Sequence, residues 1–172
     1  MPAIGIRPRE TTDLAVLEEI LGAQQPASRY PLRWPLRFPA GEFIVRPGER
    51  AALVAVVGEQ VVGHVSVTEV QPDEMGAAWA AGVGRSITGI SCLSVLFVDS
   101  TVRGRGVGRA LMEAAESWIF NSGHAAVLDV VQQNCDALRM YRSRGWREIG
   151  FARPAWLPQS EPPVILMVKD LA

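Results

Sequence analysis

The feature that most constrains this chain is an apolar run followed by a glycine-rich turn and a helical pattern. The apolar run occupies residues 93–98, the turn occupies residues 103–109, and apolar side chains then recur at helical intervals up to Phe120. This order predicts a strand, a turn and a helix whose first N–H groups lie at the turn. Those N–H groups have no intrahelical partner and carry about half a positive elementary charge, so they suit an anion such as phosphate.

The turn has the composition of an anion-binding site. Glycines at alternate positions leave the main chain open to a ligand, and the arginines between them match phosphate geometry. A Walker loop needs Lys and Ser or Thr after its last glycine, whereas Gly108 precedes Arg109, and the dinucleotide fingerprint has a different glycine spacing. A flexible connector is the alternative. The residues predicted to bind the anion are Arg103, Gly104, Arg105, Gly106, Val107, Gly108 and Arg109.

A second block lies downstream, at residues 134–146. Asn134, Tyr141 and Gly145 have the spacing of the motif Asn-x-x-Ala-x-x-x-Tyr-x-x-x-Gly-Phe, and residues 103–108 fit Arg/Gln-x-x-Gly-x-Gly/Ala. With both blocks the chain resembles the GNAT acetyltransferase family, whose glycine turn holds the pyrophosphate of acetyl-coenzyme A (acetyl-CoA). The resemblance is close over residues 91–151 and looser over nearly the whole chain.

The resemblance implies an α/β fold of the GNAT type. In that fold a mixed, mostly antiparallel sheet of six to seven strands is flanked by about four helices, and the central parallel strands splay apart for the coenzyme. At 172 residues the chain is predicted to be a single N-acetyltransferase domain over residues 1–172.

The resemblance also implies roles for individual residues, with acetyl-CoA as co-substrate. The main chain of Leu96, Phe97 and Val98 would bond the pantetheine arm, and Asn134 would contact that arm or orient nearby backbone. As a plain helix N-cap, Asn134 would need no ligand. Tyr141 would be the general acid that protonates the departing thiolate; the alternative is a tyrosine packed on a helix face.

The general base is left open. Many GNAT enzymes carry a Glu on the central strand, but residues 90–98 contain no carboxylate. Asp129 matches the place where GNAT enzymes that act on protein N-termini have a catalytic Glu, and an apolar strand should raise its pKa. Asp129 could equally form an ion pair. Transfer through water to Glu69 or to a backbone carbonyl is also open.

Residues 29–40 repeat the pattern Arg-aromatic-Pro-aliphatic three times. A proline at every fourth position forbids a continuous helix and predicts extended chain with some turns. Such a stiff segment would wall the acceptor pocket through Tyr30, Arg33 and Trp34, favouring an acceptor with an anionic or aromatic part. The equal alternative is a semi-rigid surface connector whose aromatic rings tuck into the core.

Apolar periodicity and turn residues predict the remaining elements. His64 is placed on the polar face of the second hairpin strand, where it could act as a base at neutral pH or simply face solvent. The predicted elements are a strand at 4–7, a helix capped by Asp13 that ends near Gly22, a hairpin of 51–57 and 61–70, a loop at 72–89, a parallel strand at 125–131, and closing strands at 147–151 and 164–168.

Charge and composition exclude several classes of partner. The 17 basic and 18 acidic residues give a net charge of -1, so no global field would attract nucleic acid or an anionic membrane. No apolar run approaches the roughly 20 residues of a membrane span, and the N-terminus lacks a signal-peptide core, so a cytoplasmic protein is expected. Cys92 and Cys135 lack metal-ligand spacing, so no metal and reduced thiols are expected.

These predictions combine into transfer of an acetyl group from acetyl-CoA to the primary amine of a small molecule. Transfer would be direct, in a ternary complex, because nothing in the sequence marks a covalent nucleophile. A protein N-terminus or lysine is the rival acceptor. From another class, the domain could bind acyl-CoA as a sensor without turnover. The oligomeric state is left open, a homodimer among the options.

Overall fold

Strands and helices are mixed along the chain, as in the predicted α/β fold. The computed structural model describes residues 2–170. Its helices are α1 (Leu14–Ser28), α2 (Ala40–Ile44), α3 (Glu74–Val83), α4 (Val107–Asn121) and α5 (Cys135–Ser143). Its strands are β1 (Ile4–Pro8), β2 (Glu49–Val57), β3 (Gln60–Thr68), β4 (Ile90–Val98), β5 (Ala125–Val130), β6 (Arg147–Ala152) and β7 (Val164–Lys169).

The seven strands belong to one mixed sheet in the order β1-β2-β3-β4-β5-β7-β6. The pairs β1–β2, β2–β3, β5–β7 and β6–β7 are antiparallel. Strands β4 and β5 pair in parallel, from Ile90 opposite Ala125 to Cys92 opposite Val127. The predicted mixed, mostly antiparallel sheet is therefore confirmed, and the described residues form five α-helices rather than about four.

The first of two compact units comprises residues 2–68 and 93–117. Helix α4 approaches β3 closely at Gly63, because a Cβ there would lie 2.9 Å from Leu111 Cδ1 and 3.1 Å from the Phe97 carbonyl oxygen. Glycine at this position therefore lets the start of α4 pack directly on the strand. A separate apolar core joins α1 and α2 to the strands, and its buried members are Leu17, Ile20, Leu21, Ile44, Val54, Val95 and Phe97.

Helix α1 extends past the end that the sequence predicts. The prediction placed the end near Gly22, but the helix continues through Pro26 to Ser28. Gly22 lies within the helix and does not terminate it, and a Cβ there would make only an ordinary contact, 3.8 Å from the ring of Trp34. The helix ends instead at Arg29, which has a left-handed φ of 59°.

Asp13 precedes α1 but does not cap it through its side chain. Its carboxylate oxygens accept hydrogen bonds of 2.8 Å from the Arg7 guanidinium and of 2.7 Å from the main-chain N–H of Glu10. The hydrogen bond from Arg7, with that from Glu10, lowers the pKa of the Asp13 carboxyl from its ordinary value. The predicted cap is thus an ion pair that ties β1 to the turn before α1.

The second unit comprises residues 69–92 and 118–170. The prediction of a loop at residues 72–89, within this unit, is wrong. Helix α3 occupies most of that segment and is capped by Asp73, whose Oδ1 accepts from the N–H of Gly76 at 2.8 Å. Trp79 is buried and donates from Nε1 to the Leu128 carbonyl at 3.1 Å. Small residues surround Trp79 in sequence, so one large side chain gave too weak a periodic signal to predict this helix.

Two properties of residues 2–170 bear on function. No helix in this range has both the length and the apolar character needed to cross a bilayer. Nor do three or more His, Cys, Asp or Glu side chains of these residues gather into a group that could ligate a metal ion.

Candidate active site

The glycine turn lies at the N-terminus of α4, as the sequence predicts. Gly104 and Gly106 have φ values of 79° and 86°, which favour glycine, and nothing lies within 4 Å of a Cβ built at either position. The N–H of Ala110 donates to the Gly106 carbonyl at 3.0 Å. The N–H groups of residues 107–109 precede this bond and have no intrahelical acceptor, and Gly106 has no side chain with which to cap them.

Positive charge surrounds the same turn. Arg103, Arg105 and Arg109 are all exposed. Arg109 Nε lies 3.6 Å from Glu113 Oε1, but both side chains are more than half exposed, so this ion pair is weak and leaves most of the field of Arg109 in place. Main-chain donors and guanidinium groups therefore coincide at one end of α4, and a diphosphate is an anion that fits both.

Strand β4 reaches this turn at its end. A Cβ on Gly108 would lie 3.6 Å from Val98 Cγ2, so the predicted anion turn and the predicted pantetheine strand meet there. Leu96 and Val98 are half-buried, whereas Phe97 is buried. The strand is irregular at Val95, whose φ of 51° is left-handed and therefore uncommon for a β-branched residue.

His64 is wholly buried, so its placement on a solvent-facing polar face is wrong. Its Nδ1 lies 2.9 Å from the Val95 carbonyl oxygen and its Nε2 lies 3.0 Å from Arg9 Nη1. Burial lowers the pKa of His64 to about 4, and the charge of Arg9 adds to this shift. The imidazole is therefore neutral at neutral pH, but both nitrogens are engaged, so His64 does not serve as the general base.

The polar network to which His64 belongs was not predicted from the sequence. Arg9 Nη2 lies 2.6 Å from Glu49 Oε1, and Arg9 Nη1 donates to Glu49 Oε2 at 3.1 Å. These residues lie on β2, β3 and the chain after β1, far apart in sequence. The network depends on pairing between distant segments: β3 lies between β2 and β4, and only the sheet order places it there.

Helix α5 carries two predicted site residues of the second unit. Asn134 precedes the helix, and its Oδ1 accepts from the N–H of Ala137 at 3.3 Å, which makes it the N-cap. Tyr141 is 7% exposed, and its ring centroid lies 5.9 Å from that of Trp146. Seven positions separate Asn134 from Tyr141, so both lie on one face of the helix, as predicted. Their roles toward a ligand stay predictions.

Asp129 lies on β5 in the apolar setting that the sequence predicts. Asp129 is half-buried, and it stands opposite Leu166 of β7, which is buried. These surroundings suit a carboxylate of reduced hydration. Its role as a base stays a prediction.

The three residues predicted to line an acceptor pocket divide into two groups. Residues 29–39 contain bends and no helix, which agrees with the predicted exclusion of a continuous helix, whereas Ala40, the last residue of the predicted extended segment, begins α2. Tyr30 is partly buried, and its ring packs against Phe43 with a centroid distance of 5.7 Å. This packing agrees with the alternative in which the segment is a connector whose aromatic rings tuck into the core. Arg33 is exposed and Trp34 is 40% exposed, so both remain open to a ligand.

A model of the acetyltransferase (GNAT) family matches residues 14–146 of the chain. The chain belongs to the GNAT acetyltransferase family. The resemblance in the two sequence blocks is thereby confirmed, and with it the assignment to the acyltransferases. GNAT enzymes use acetyl-CoA, and the open main chain and arginines at the start of α4 fit its diphosphate.

Solved structures with the GNAT fold resemble the chain at low identity. A ribosomal-protein-alanine N-acetyltransferase from Brucella melitensis is 25% identical, with a TM-score of 0.70 over 97% of this chain and 99% of that one. A provisionally assigned phosphinothricin N-acetyltransferase is 18% identical, with a TM-score of 0.75 over 99% of both chains.

A relative by sequence is an uncharacterized protein of Mycobacterium leprae (strain TN). It is 40% identical over 73 residues, which make up 42% of this chain and 20% of that protein. The matched segment thus spans about a fifth of the length of that relative.

Proposed function

We propose that the chain transfers the acetyl group of acetyl-CoA to the primary amine of a small molecule, directly within a ternary complex. The observation that carries this proposal is the open glycine turn at the start of α4, with N–H groups of residues 107–109 free of intrahelical acceptors and three exposed arginines beside them. These groups would hold the diphosphate of the coenzyme. The main chain of residues 96–98 and the side chain of Asn134 would bond the pantetheine arm.

Tyr141 is proposed as the general acid. The amine nitrogen attacks the thioester carbonyl, the C–S bond breaks, and the leaving thiolate needs a proton. A thiol has a pKa of about 8.5 and a phenol of about 10, so the transfer is only modestly uphill and proximity offsets it. Tyr141 is 7% exposed and its ring packs against Trp146, which supports the role because the surrounding residues hold the phenol in a defined place.

Asp129 is proposed as the general base. An amine of pKa about 10 is mostly protonated at neutral pH, and its deprotonation costs about 4 kcal/mol at 1.36 kcal/mol per unit. The half-buried position of Asp129, opposite the buried Leu166 of β7, supports this role. Glu69 acting through water is the alternative, and it is exposed.

The acceptor class rests on the segment of residues 29–39. Gln24 Nε2 donates to the Tyr30 carbonyl at 2.5 Å and Gln25 Nε2 donates to the Pro31 carbonyl at 3.2 Å, so α1 holds the segment in place. A fixed segment that exposes Arg33 and Trp34 supports a small acceptor with an anionic or aromatic part. The similarity to a ribosomal-protein-alanine N-acetyltransferase favours a protein N-terminus as the second candidate.

The activity is tested by measuring thiol release from acetyl-CoA in three reactions. One contains pooled small amines, one contains pooled peptides, and one contains no acceptor. Release with the small amines alone is expected. Release with the peptides alone would replace the small acceptor by the protein N-terminus or lysine. Binding of acetyl-CoA without release in any mixture would mean a sensor.

The diphosphate site is tested by calorimetry with acetyl-CoA on Gly106→Val and on a matched control, Gly58→Val. Both glycines have left-handed φ and open space around the Cβ position, so the two changes strain the backbone alike. We expect affinity to fall by at least about tenfold in Gly106→Val only. Equal affinity in both variants would refute the site.

A further inference from the structure

Strand β4 contains a main-chain irregularity that needs a support. Val95 adopts a φ of 51° although it is β-branched and 2% exposed. Such a conformation persists only where the surrounding structure holds it. Val95 directly precedes Leu96, the first of the three positions whose main chain is proposed to bond the pantetheine arm.

The support is the side chain of His64 on β3. Its Nδ1 lies 2.9 Å from the Val95 carbonyl oxygen, and its ring stacks on Phe97 with centroids 5.5 Å apart and an interplanar angle of 26°. The ring is therefore fixed both in its plane and across its face. It contacts Val95 and Phe97, the residues on either side of Leu96.

The tautomer of His64 follows from its second partner. Arg9 Nη1 has protons only to donate, so the Nε2 that lies 3.0 Å away must be the unprotonated nitrogen. Nδ1 then carries the proton and donates to the Val95 carbonyl. Glu49 accepts from both terminal nitrogens of Arg9, at 2.6 and 3.1 Å, and so holds the guanidinium in place.

A peptide unit is planar and trans, so its carbonyl and its N–H point in opposite directions. The unit that joins Val95 to Leu96 contains the carbonyl bound by His64 and the N–H of Leu96. Fixing the one fixes the other, and the Leu96 N–H must point away from His64. Without the hydrogen bond this unit can rotate, because the left-handed conformation of Val95 is unfavourable for its side chain.

We propose that His64, held by Arg9 and Glu49, is a positioning residue that aims the Leu96 N–H at the pantetheine arm of the coenzyme. The inference rests on the proposed function, because it requires that acetyl-CoA binds along β4. It assigns His64 an effect on coenzyme affinity and none on proton transfer.

The test compares the kinetics of three variants with those of the wild type. His64→Leu fills the space without the donor, His64→Asn restores an N–H donor near the position of Nδ1, and Val65→Ala removes buried volume from the same strand. We expect KM for acetyl-CoA to rise about tenfold in His64→Leu, with kcat and the amine KM unchanged. His64→Asn should recover most of this loss, and Val65→Ala should lower only the melting temperature.

Several outcomes would overturn the inference. A wild-type KM for acetyl-CoA in His64→Leu would do so while leaving the proposed function intact, and so would equal increases in all three variants. A wild-type protein that fails to bind acetyl-CoA in calorimetry would overturn the proposed function and this inference together.

If His64→Leu fails to fold, a measurement on the wild type tests the proposed hydrogen bond from His64 to Val95. Nitrogen-15 spectra of the imidazole report which nitrogen carries the proton. We expect protonated Nδ1 and bare Nε2 between about pH 6 and 8, where the imidazole is neutral. The opposite tautomer would remove the hydrogen bond to Val95 and overturn the inference.

Discussion

The two units of the chain present their candidate residues in different ways. In the first unit the candidates are main-chain groups, at the turn of residues 103–109 and along β4, with exposed arginines around them. In the second unit they are side chains in partly or wholly buried settings, such as Tyr141 at 7% exposure and the half-buried Asp129. Main-chain donors suit recognition of a fixed anion, whereas buried ionisable side chains suit proton transfer.

The two units are therefore expected to affect different kinetic constants. Losing a contact that is made equally to the ground state and the transition state changes KM, whereas losing a group that acts only in the transition state changes kcat. Changes in the first unit are therefore expected to weaken binding, and changes of Tyr141 and Asp129 in the second unit to slow the reaction.

The largest effect is expected for Tyr141→Phe in the second unit. This change removes the proposed acid but keeps the ring that packs against Trp146 at 5.9 Å. Steady-state kinetics should show kcat lower by a factor of about 10² to 10⁴, the usual contribution of a general acid. Calorimetry should give an unchanged affinity for acetyl-CoA.

Trp146→Phe is the control for that experiment, since it alters the packing around Tyr141 and leaves the hydroxyl. It should lower the melting temperature and leave kcat close to wild type. If Tyr141→Phe raised KM and kept kcat, Tyr141 would be a packing residue. The assignment of rate effects to the second unit would then be wrong.

The next effect is a pH dependence that belongs to the first unit. The pKa of His64 is lowered from 6.5 to about 4 by burial, with Arg9 adding to the shift. As pH falls from 6.5 to 4, His64 becomes protonated in the unfolded chain but stays neutral in the folded chain. The contribution of His64 should therefore lower the free energy of unfolding by about 3 kcal/mol over this range. Above pH 6.5 the group adds no slope.

Denaturant titrations of wild type and His64→Asn between pH 4 and 7 measure this slope. The variant has no imidazole and should lose most of the dependence in that window. Asp13 titrates separately, because its lowered pKa confines its contribution to pH values below about 3.8. An identical slope in the variant would contradict the placement of a neutral imidazole against Arg9.

The sequence predicted those parts of the fold and site that depend on neighbouring residues. The glycine turn, the start of α4, the strand β4 and the capped helix α5 follow from spacing within about fifteen residues, and each was confirmed. Helix α3 was not predicted, because a run of small residues with one buried tryptophan has little periodicity. The setting of His64 was not predicted either, because it depends on Arg9 and Val95, which only the sheet brings together.

A smaller effect is expected for Trp34→Ala in the first unit. Trp34 is 40% exposed on the segment that α1 holds, and its ring could stack on an aromatic or cationic acceptor. The KM for the best small amine should rise about threefold to fivefold, with the acetyl-CoA KM unchanged. The control is Phe151→Ala, an exposed aromatic on β6, which should alter neither constant. An unchanged amine KM in Trp34→Ala would remove this segment from the acceptor site.

The smallest effect is expected at Asn134, the residue that tests the comparison most sharply. Its Oδ1 already caps α5 through Ala137, so Asn134→Ala should lower the free energy of unfolding by about 1 kcal/mol. Asn134→Asp keeps a capping oxygen but has no side-chain N–H to offer a ligand. Because Asn134 is proposed to donate to the pantetheine arm, the KM for acetyl-CoA should rise in the Asp variant while stability holds, so that the second unit contributes to binding as well as to rate. A wild-type KM in the Asp variant would leave Asn134 as the N-cap of α5 alone.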